Sequence, residues 1–309
     1  MAVELSPDWE ARFLLWLQTA LGETGSRLLG VFSIFGEPAF IFFVFSLLYF
    51  GYRKETAIRA GTVVLMSLLW NPMIKNAVRR LRPYMVHPEI VCYKPAAAGN
   101  IYDPEVQGYS FPSGHATVVS SLGGAVSRLF RKKWIWILSA AVTVLTALSR
   151  MAVGVHYPTD VVFGIVLGIV SVIAVNFLEA RIRDRRVLFL ILALTTVPGF
   201  FYCTSEDFFS CAGLLYGFFL GSLYEERIVR FGDLRSPVKI LVRVLLGAVL
   251  VIGISQGLKA LFSLLPGELP GKGIMRTIRY FLAAFAMTGL YPLCFRRLRL
   301  EDTDIEAET

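Results

Sequence analysis

Long apolar runs recur along almost the whole chain and restrict how it can fold. About 20 mostly apolar residues form a helix that crosses a bilayer, and a backbone in lipid must satisfy its own hydrogen bonds. The chain has 309 residues, of which 55% are hydrophobic and 17% charged, and a soluble domain has about 25% charged residues. We therefore predict an all-α, polytopic transmembrane helical bundle. Its candidate spans, about nine in number, are 37–53, 58–79, 114–130, 134–153, 159–180, 187–202, 209–225, 239–264 and 277–295.

The segment 8–34 precedes these runs and is less apolar. Its apolar stripe consists of Trp9, Phe13, Leu14, Trp16 and Leu17. The charged residues that interrupt the segment are Glu10, Arg12, Glu23 and Arg27. This pattern favours an interfacial amphipathic helix followed by a partly inserted one, with a tenth span as the alternative. It does not fit a signal peptide, because acidic residues come first where a basic region is required.

The net charge of +8 comes from basic clusters in short loops between the apolar runs, which argues against nucleic-acid binding. The clusters are Arg53, Lys54 and Arg59; Arg128, Arg131, Lys132 and Lys133; Arg181, Arg183, Arg185 and Arg186; Arg227, Arg230 and Arg235; and Arg296, Arg297 and Arg299. Successive clusters are two spans apart, so they share one side, which the positive-inside bias makes cytoplasmic. The acidic tail 301–309 is then cytoplasmic, and loops 80–113, 154–158, 203–208 and 265–276 are extracytoplasmic.

Three polar signatures fall at the predicted outer face, where ionisable groups near lipid are functional candidates. The first is Lys75, six residues, then Arg82 and Pro83. A spacing of seven is two helical turns, so we expect Lys75 and Arg82 on one helix face with Arg79 between them. We expect Pro83 to end this helix. Such cations suit phosphate oxygens, although snorkelling side chains at a helix end are the alternative.

The second signature is Pro112-Ser113-Gly114-His115, directly before an apolar helix. Ser113 is a candidate N-cap, and Gly114 allows a ligand close to the backbone. The N–H groups at a helix N-terminus bind anions, and His115 would stand beside that site as a proton donor. The alternative is a capped helix start with an interfacial histidine.

The third signature is Ser149-Arg150, five residues, His156, three residues and Asp160. Pro158 is suited to the first turn of the next helix. A carboxylate at Asp160 could fix the tautomer of His156 and leave the other ring nitrogen as a nucleophile. The alternative is an aspartate that interacts with the helix dipole and an unrelated histidine.

Together the three signatures resemble the PAP2 family, the type-2 phosphatidic acid phosphatase superfamily. The family pattern is Lys-x6-Arg-Pro, Pro-Ser-Gly-His and Ser-Arg-x5-His-x3-Asp, and it is matched here without substitution between residues 75 and 160. The resemblance extends over roughly 37–182 with the flanking helices. It implies a phosphatase that needs no metal or other cofactor.

The resemblance also implies a role for each matched residue. His156 attacks phosphorus to form a phosphohistidine, Asp160 orients His156, and His115 is the general acid and base. The residues implied to bind the phosphoryl oxygens of the substrate are Lys75, Arg82, Ser113, Gly114 and Arg150. Preorganised charge accounts for most of the catalysis of phosphoryl transfer.

The chain continues beyond the matched core for about four more spans, and this topology is similar to that of glucose-6-phosphatases and sphingosine-phosphate phosphatases. Gly213, Gly217 and Gly221 in this extension are spaced for close helix packing, and a Cys203–Cys211 disulfide is left open. We divide the chain into an interfacial segment (1–36), a catalytic core (37–182), additional helices (183–300) and an acidic tail (301–309). The absence of an Asn-x-Ser/Thr sequon favours a bacterial inner membrane.

We therefore expect hydrolysis of a lipid phosphomonoester or prenyl diphosphate at the extracytoplasmic face. The alternatives are a sugar-phosphate phosphatase and a phosphotransferase that passes the phosphoryl group to an alcohol. The expected partner is a membrane lipid or another phosphorylated substrate, and homo-oligomerisation is left open. Loop 84–111, with its tyrosines, is expected to cover the outer mouth of the site.

Overall fold

A computed structural model describes residues 7–94, 99–232, 234, 236–263 and 272–301. Every regular element in these ranges is helical. The α-helices are α1 (Asp8–Gly30), α2 (Pro38–Gly51), α3 (Lys54–Val78), α4 (Pro83–Val86), α5 (Pro104–Gln107), α6 (Gly114–Phe130), α7 (Lys133–Ala152), α8 (Pro158–Arg181), α9 (Arg185–Leu194), α10 (Gly199–Tyr202), α11 (Glu206–Tyr224), α12 (Pro237–Ser263) and α13 (Lys272–Phe285). A 3-10 helix, Val31–Gly36, connects α1 to α2.

Within the described residues, six helical segments are long and apolar enough to cross a membrane. They are Lys54–Val78, Lys133–Ala152, Pro158–Arg181, Arg185–Tyr202, Glu206–Val229 and Pro237–Ser263. The pair Asp8–Gly36 and Pro38–Gly51, bent by 42°, is a broken span or a re-entrant loop and would make seven. Helix α6 has 17 residues, short of this length. The expected count of about nine therefore stays a prediction.

The chain divides into two compact units. The first contains Met1–Ile41, Met66–Arg181 and Pro198–Ser205, and the second contains Phe42–Leu65, Ile182–Val197 and Glu206–Thr309. The predicted acidic tail lies, after Glu301, outside the described residues. All four cysteines are free thiols, Cys203 and Cys211 among them.

In the first unit, α6 packs closely against α8 because small residues line the contact. A Cβ atom at Gly164 would lie 2.6 Å from the Ser113 carbonyl oxygen, and one at Gly168 would lie 2.0 Å from Ser120 Oγ. Helix α1 packs on α7, where Leu14 joins a buried apolar cluster with Met151 and Val161. The start of α6, the end of α7 and the start of α8 therefore meet at one end of this unit.

In the second unit, the predicted glycine stripe packs α11 against α13 and the π-helix Ala286–Leu290 that follows it. Cβ atoms at Gly213 and Gly217 would each lie 2.3 Å from a backbone carbonyl oxygen, of Thr277 and Phe281 respectively. One at Gly221 would lie 2.1 Å from Thr288 Oγ1. The expectation of close helix packing is confirmed, and the contact lies within one chain.

The first signature does not lie on one continuous helix, so this expectation was wrong. Helix α3 ends at Val78, and Arg79 adopts a left-handed conformation with φ of 54°. Arg82 is extended because it precedes a proline. Pro83 does not end a helix but begins α4, where its fixed φ suits the first turn. The turn at Arg79 instead directs the next arginine, Arg80, into the interior of the unit.

Candidate active site

The second and third signatures meet at the joined ends of α6 and α8. The Ser113 backbone N–H donates a hydrogen bond to the Asp160 carbonyl oxygen at 2.9 Å. From α3, Asn71 donates to the Pro112 carbonyl oxygen at 3.3 Å and to Thr117 Oγ1 at 3.0 Å. These bonds hold the start of α6 in place. Ser113 occupies the N-cap position as expected, but its side chain does not cap the helix.

His156 lies in the buried turn between α7 and α8 and faces Asp160. The turn is possible because Gly154 has a φ of 76°, and a Cβ atom there would lie 2.4 Å from the Val91 carbonyl oxygen. His156 Nδ1 is 3.7 Å from Asp160 Oδ2, too long for a hydrogen bond. Contacts of this kind often shorten only when substrate is bound. The geometry orients the imidazole with Nδ1 towards the carboxylate.

Asp160 is held by three donors of the protein. Arg80 Nη1 donates to Asp160 Oδ1 at 2.6 Å. The Tyr157 backbone N–H donates to Asp160 Oδ2 at 2.8 Å, and the Ser110 hydroxyl donates to the same oxygen. Donors on both carboxylate oxygens fix the position of the Asp160 side chain. Ser110 comes from loop 84–111, so this loop contributes directly to the site.

Arg80 in turn binds a residue from the N-terminal helix. Its Nη2 is 2.5 Å from Glu10 Oε2, and both side chains are buried. Glu10 Oε1 accepts from the Thr159 backbone N–H at 2.9 Å and from its hydroxyl at 2.7 Å. The Arg80 guanidinium also lies 4.0 Å from the centre of the Tyr157 ring. Glu10, Arg80 and Asp160 therefore form one buried charged network.

Sequence reasoning missed this network. From the sequence alone, Glu10 is interpreted as a break in an apolar stripe, and Arg80 is given no role. The sequence does contain a signal for the network. Glu10 is an acidic residue in an apolar helix face, and Arg80 lies on the predicted outer side, where the positive-inside bias disfavours cations. Pairing them needs a contact between residues 70 positions apart, which local spacing does not reveal.

His156 lies in a strongly positive environment. Burial lowers its pKa well below the ordinary histidine value, and Arg82, Lys75 and Arg150 lower it further. The charge of His115 acts on it in the same direction. The structure thus brings these four predicted site residues within electrostatic reach of His156. A neutral imidazole has an available lone pair, which a nucleophile requires.

Arg82 and Arg150 are both anchored by neighbouring segments. Arg82 donates to the Gly108 carbonyl oxygen at 2.8 Å and to that of Gln107 at 2.6 Å, so the loop holds its guanidinium. Arg150 donates to Ser33 Oγ in the 3-10 helix at 2.9 Å. Anchored guanidinium groups lose little further side-chain entropy when they bind an anion.

Three predicted site residues have a buried polar atom without a hydrogen-bond partner among the described residues: Ser113 Oγ, Arg150 Nε and His156 Nδ1. Buried polar groups are normally paired. A hydroxyl and an N–H donor match phosphate oxygens, which are strong acceptors. The last predicted residue, Gly114, begins α6, and a Cβ atom there would lie 3.6 Å from Asn71 Oδ1.

His115 is paired with a carboxylate that the sequence analysis did not consider. Its Nε2 is 3.1 Å from Glu37 Oε1, at the junction of the 3-10 helix and α2. The site therefore contains two imidazoles, each near a carboxylate, beside three cationic side chains. This arrangement can bind a phosphate group, attack its phosphorus and protonate the oxygen that leaves.

Comparison with known proteins gives two family matches. Residues 56–184 match the family described as PAP2 superfamily. Residues 209–303 match the family described as PAP2 superfamily phosphatase, transmembrane extension. The first match includes all three signatures, and the second covers nearly all of α11 together with α12 and α13.

Named relatives include three lipid phosphatases. An undecaprenyl-diphosphatase of Sulfolobus acidocaldarius is 35% identical over 40% of this chain and 54% of its own length. A lipid A 4'-phosphatase of Porphyromonas gingivalis is 33% identical over 43% of this chain and 54% of its own. A decaprenylphosphoryl-5-phosphoribose phosphatase of Mycobacterium tuberculosis is 31% identical over 53% of this chain and 88% of its own.

These matches define an integral membrane protein with a phosphatase-type site. The chain belongs to the PAP2 superfamily. It spans about half the length of the first two relatives, 54% of each. No solved structure matches it. The topological likeness to glucose-6-phosphatases stays a prediction.

Proposed function

We propose that this protein is a membrane phosphatase that hydrolyses a lipid phosphomonoester or a prenyl diphosphate through a phosphohistidine. The observation that carries the proposal is the buried His156, which faces Asp160 and is surrounded by the charges of Lys75, Arg82 and Arg150. The names of the relatives support a lipid-linked phosphate as the substrate class.

In the first step, His156 Nε2 attacks phosphorus because Nδ1 faces Asp160. A P–N bond forms as the P–O bond to the leaving group breaks, and a proton of His115 passes to the leaving oxygen. Lys75, Arg82 and Arg150 stabilise the charge on the remaining phosphoryl oxygens, as do the hydroxyl of Ser113 and the backbone at Gly114.

In the second step, water attacks the phosphohistidine. His115 takes the proton from this water as the new P–O bond forms, and the P–N bond breaks to release inorganic phosphate and His156. His115 thereby regains the proton that it gave away in the first step. Arg80, Ser110 and the Tyr157 N–H hold the Asp160 side chain in place through both steps.

The proposal includes an orientation. The site ends of α6, α7 and α8 face the extracytoplasmic side, and the opposite ends carry the basic clusters around Arg131 and Arg181. The C-terminus is then cytoplasmic, in a bacterial inner membrane. A site at the outer edge of the bilayer lets the phosphate leave into water while the lipid tail stays among the helices.

The test is phosphate release by the full chain in detergent, with phosphatidic acid, an undecaprenyl diphosphate and glucose 6-phosphate as substrates. We expect turnover of a lipid substrate, trapping of an acid-labile phosphoenzyme with labelled substrate, and loss of both in His156→Ala. We also expect EDTA to leave the rate unchanged. Activity that disappears in EDTA and returns with magnesium would overturn the mechanism, and preference for glucose 6-phosphate would overturn the substrate class.

A further inference from the structure

The 3-10 helix Val31–Gly36 and the residue after it lie directly on the candidate active site. Residues three apart in a 3-10 helix share one side, so Ser33 and Gly36 point the same way. Ser33 Oγ accepts from Arg150 at 2.9 Å and lies 3.0 Å from Ser149 Oγ. Gly36 faces His115, and a Cβ atom there would lie 2.6–2.8 Å from atoms of that side chain.

The local sequence explains how Glu37 reaches His115. Glu37 precedes Pro38, which favours an extended backbone, and its φ and ψ are −77° and 144°. The 3-10 helix therefore ends here, with the Glu37 N–H bonded to the Ile34 carbonyl oxygen at 3.1 Å. The side chain emerges beside the imidazole that Gly36 contacts. This segment precedes both family matches.

We propose that Glu37 is the positioning residue for His115. The Glu37 carboxylate accepts from His115 Nε2–H and thereby turns Nδ1 towards the leaving oxygen. It also stabilises the positively charged imidazolium, which burial and nearby Arg150 disfavour. This inference rests on the proposed function, because it assumes that His115 protonates the leaving group.

The chemistry of the leaving group separates this role from a structural one. An alkoxide leaves poorly without a proton, whereas p-nitrophenolate leaves readily without one. Loss of a general acid therefore slows the cleavage of an alkyl phosphate far more than that of p-nitrophenyl phosphate. General acid catalysis contributes about 100- to 10,000-fold to the rate. Glu37, the half-exposed partner of His115, should account for part of that factor.

The experiment compares dodecyl phosphate with p-nitrophenyl phosphate in full-length protein. For Glu37→Gln, we expect kcat to fall about 10- to 100-fold with dodecyl phosphate and less than about threefold with p-nitrophenyl phosphate. His115→Ala should show the same selectivity more strongly, and Glu37→Gln added to it should cause no further loss. Glu37→Asp should retain most of the activity with dodecyl phosphate.

The matched control is Glu23→Gln, which removes an exposed carboxylate of the same N-terminal segment, one that pairs with Arg27 four residues later. It should behave as wild type with both substrates. If Glu37→Gln fails to fold, Glu37→Ala with added acetate replaces it, because the half-exposed position admits a small carboxylate. Acetate should then restore turnover of dodecyl phosphate selectively.

Equal losses with the two substrates, or no loss with either, would overturn the role of Glu37. The role would also be overturned if neither Glu37→Asp nor acetate added to Glu37→Ala restored turnover of dodecyl phosphate. Failure of the proposed function has a different signature, because His156→Ala would then keep its activity and no phosphoenzyme would form. The two ideas are thus tested by separate variants.

Discussion

At the scale of single residues, the candidate nucleophile depends on a carboxylate far away in the sequence. Glu10 binds Arg80, Arg80 binds Asp160, and Asp160 faces His156, all with side chains at most 5% exposed. Breaking a buried ion pair leaves an uncompensated charge, which costs more than the intact pair contributes. The network therefore links the stability of the first unit to the position of Asp160.

We predict that Glu10→Gln destabilises the protein and lowers its activity. The amide keeps the shape but removes the charge opposite Arg80, and because Asp160 still partners Arg80 the cost should be about 2–3 kcal/mol. Thermal unfolding in detergent and phosphate release measure the two effects. Asp8→Asn on the same helix is the control, since the Asp8–Arg12 pair is exposed. Equal behaviour of the two variants would contradict the prediction.

The pH dependence of turnover should report the environment of His156. Burial and the neighbouring cations lower its pKa well below 6.5, so the imidazole stays neutral until the pH falls below that value. The loss of kcat/KM on the acid side should therefore occur below pH 6.5. Lys75→Met removes one of the cations and should move that loss to higher pH. The assignment would be contradicted if kcat/KM of the wild type already fell at or above pH 6.5, or if the pH of this loss were unchanged in Lys75→Met.

At the scale of elements, the approach of α6 and α8 sets the distance between the second and third signatures. Gly164 and Gly168 allow that approach, and Ser113 and Asp160 join the two helices through a backbone hydrogen bond. Added volume at the glycines would push the helices apart, because packed interiors absorb extra atoms poorly. The separation of His115 from His156 is thus a property of helix packing.

Gly168→Val should destabilise the protein by about 1–3 kcal/mol. It should also reduce turnover, although every residue of the three signatures is unchanged. Gly253→Val in α12 is the matched control, because a Cβ atom there meets nothing within 4 Å. Thermal unfolding and single-turnover kinetics check the pair. A Gly168 variant as stable and active as the Gly253 variant would show that the close contact is not required.

At the scale of the whole molecule, the proposed orientation in the membrane rests on the positive-inside bias of the basic clusters. In a variant without native cysteines, Glu89→Cys in loop 84–111 should react with a membrane-impermeant maleimide in intact cells. Lys132→Cys, between α6 and α7, should react only after permeabilisation. Both side chains are exposed, so access of the reagent depends on the side of the membrane. The reverse pattern would place the site in the cytoplasm.

Sequence patterns predicted the parts of the molecule that depend on local spacing. The helical class, the glycine stripe at Gly213–Gly221 and the meeting of His156 with Asp160 are of this kind. The left-handed turn at Arg79 was missed because the spacing from Lys75 to Arg82 also fits two turns of helix. Glu10 and Glu37 were missed because each contacts a residue about 70 or more positions away.

The contact between Glu10 and Arg80 has an evolutionary consequence. Two residues that neutralise each other in the interior are energetically coupled, so their substitutions do not act independently. A lineage that loses the acidic side chain leaves Arg80 with Asp160 but without its second buried carboxylate partner. Across homologues that retain the N-terminal helix, these two positions should therefore vary in concert.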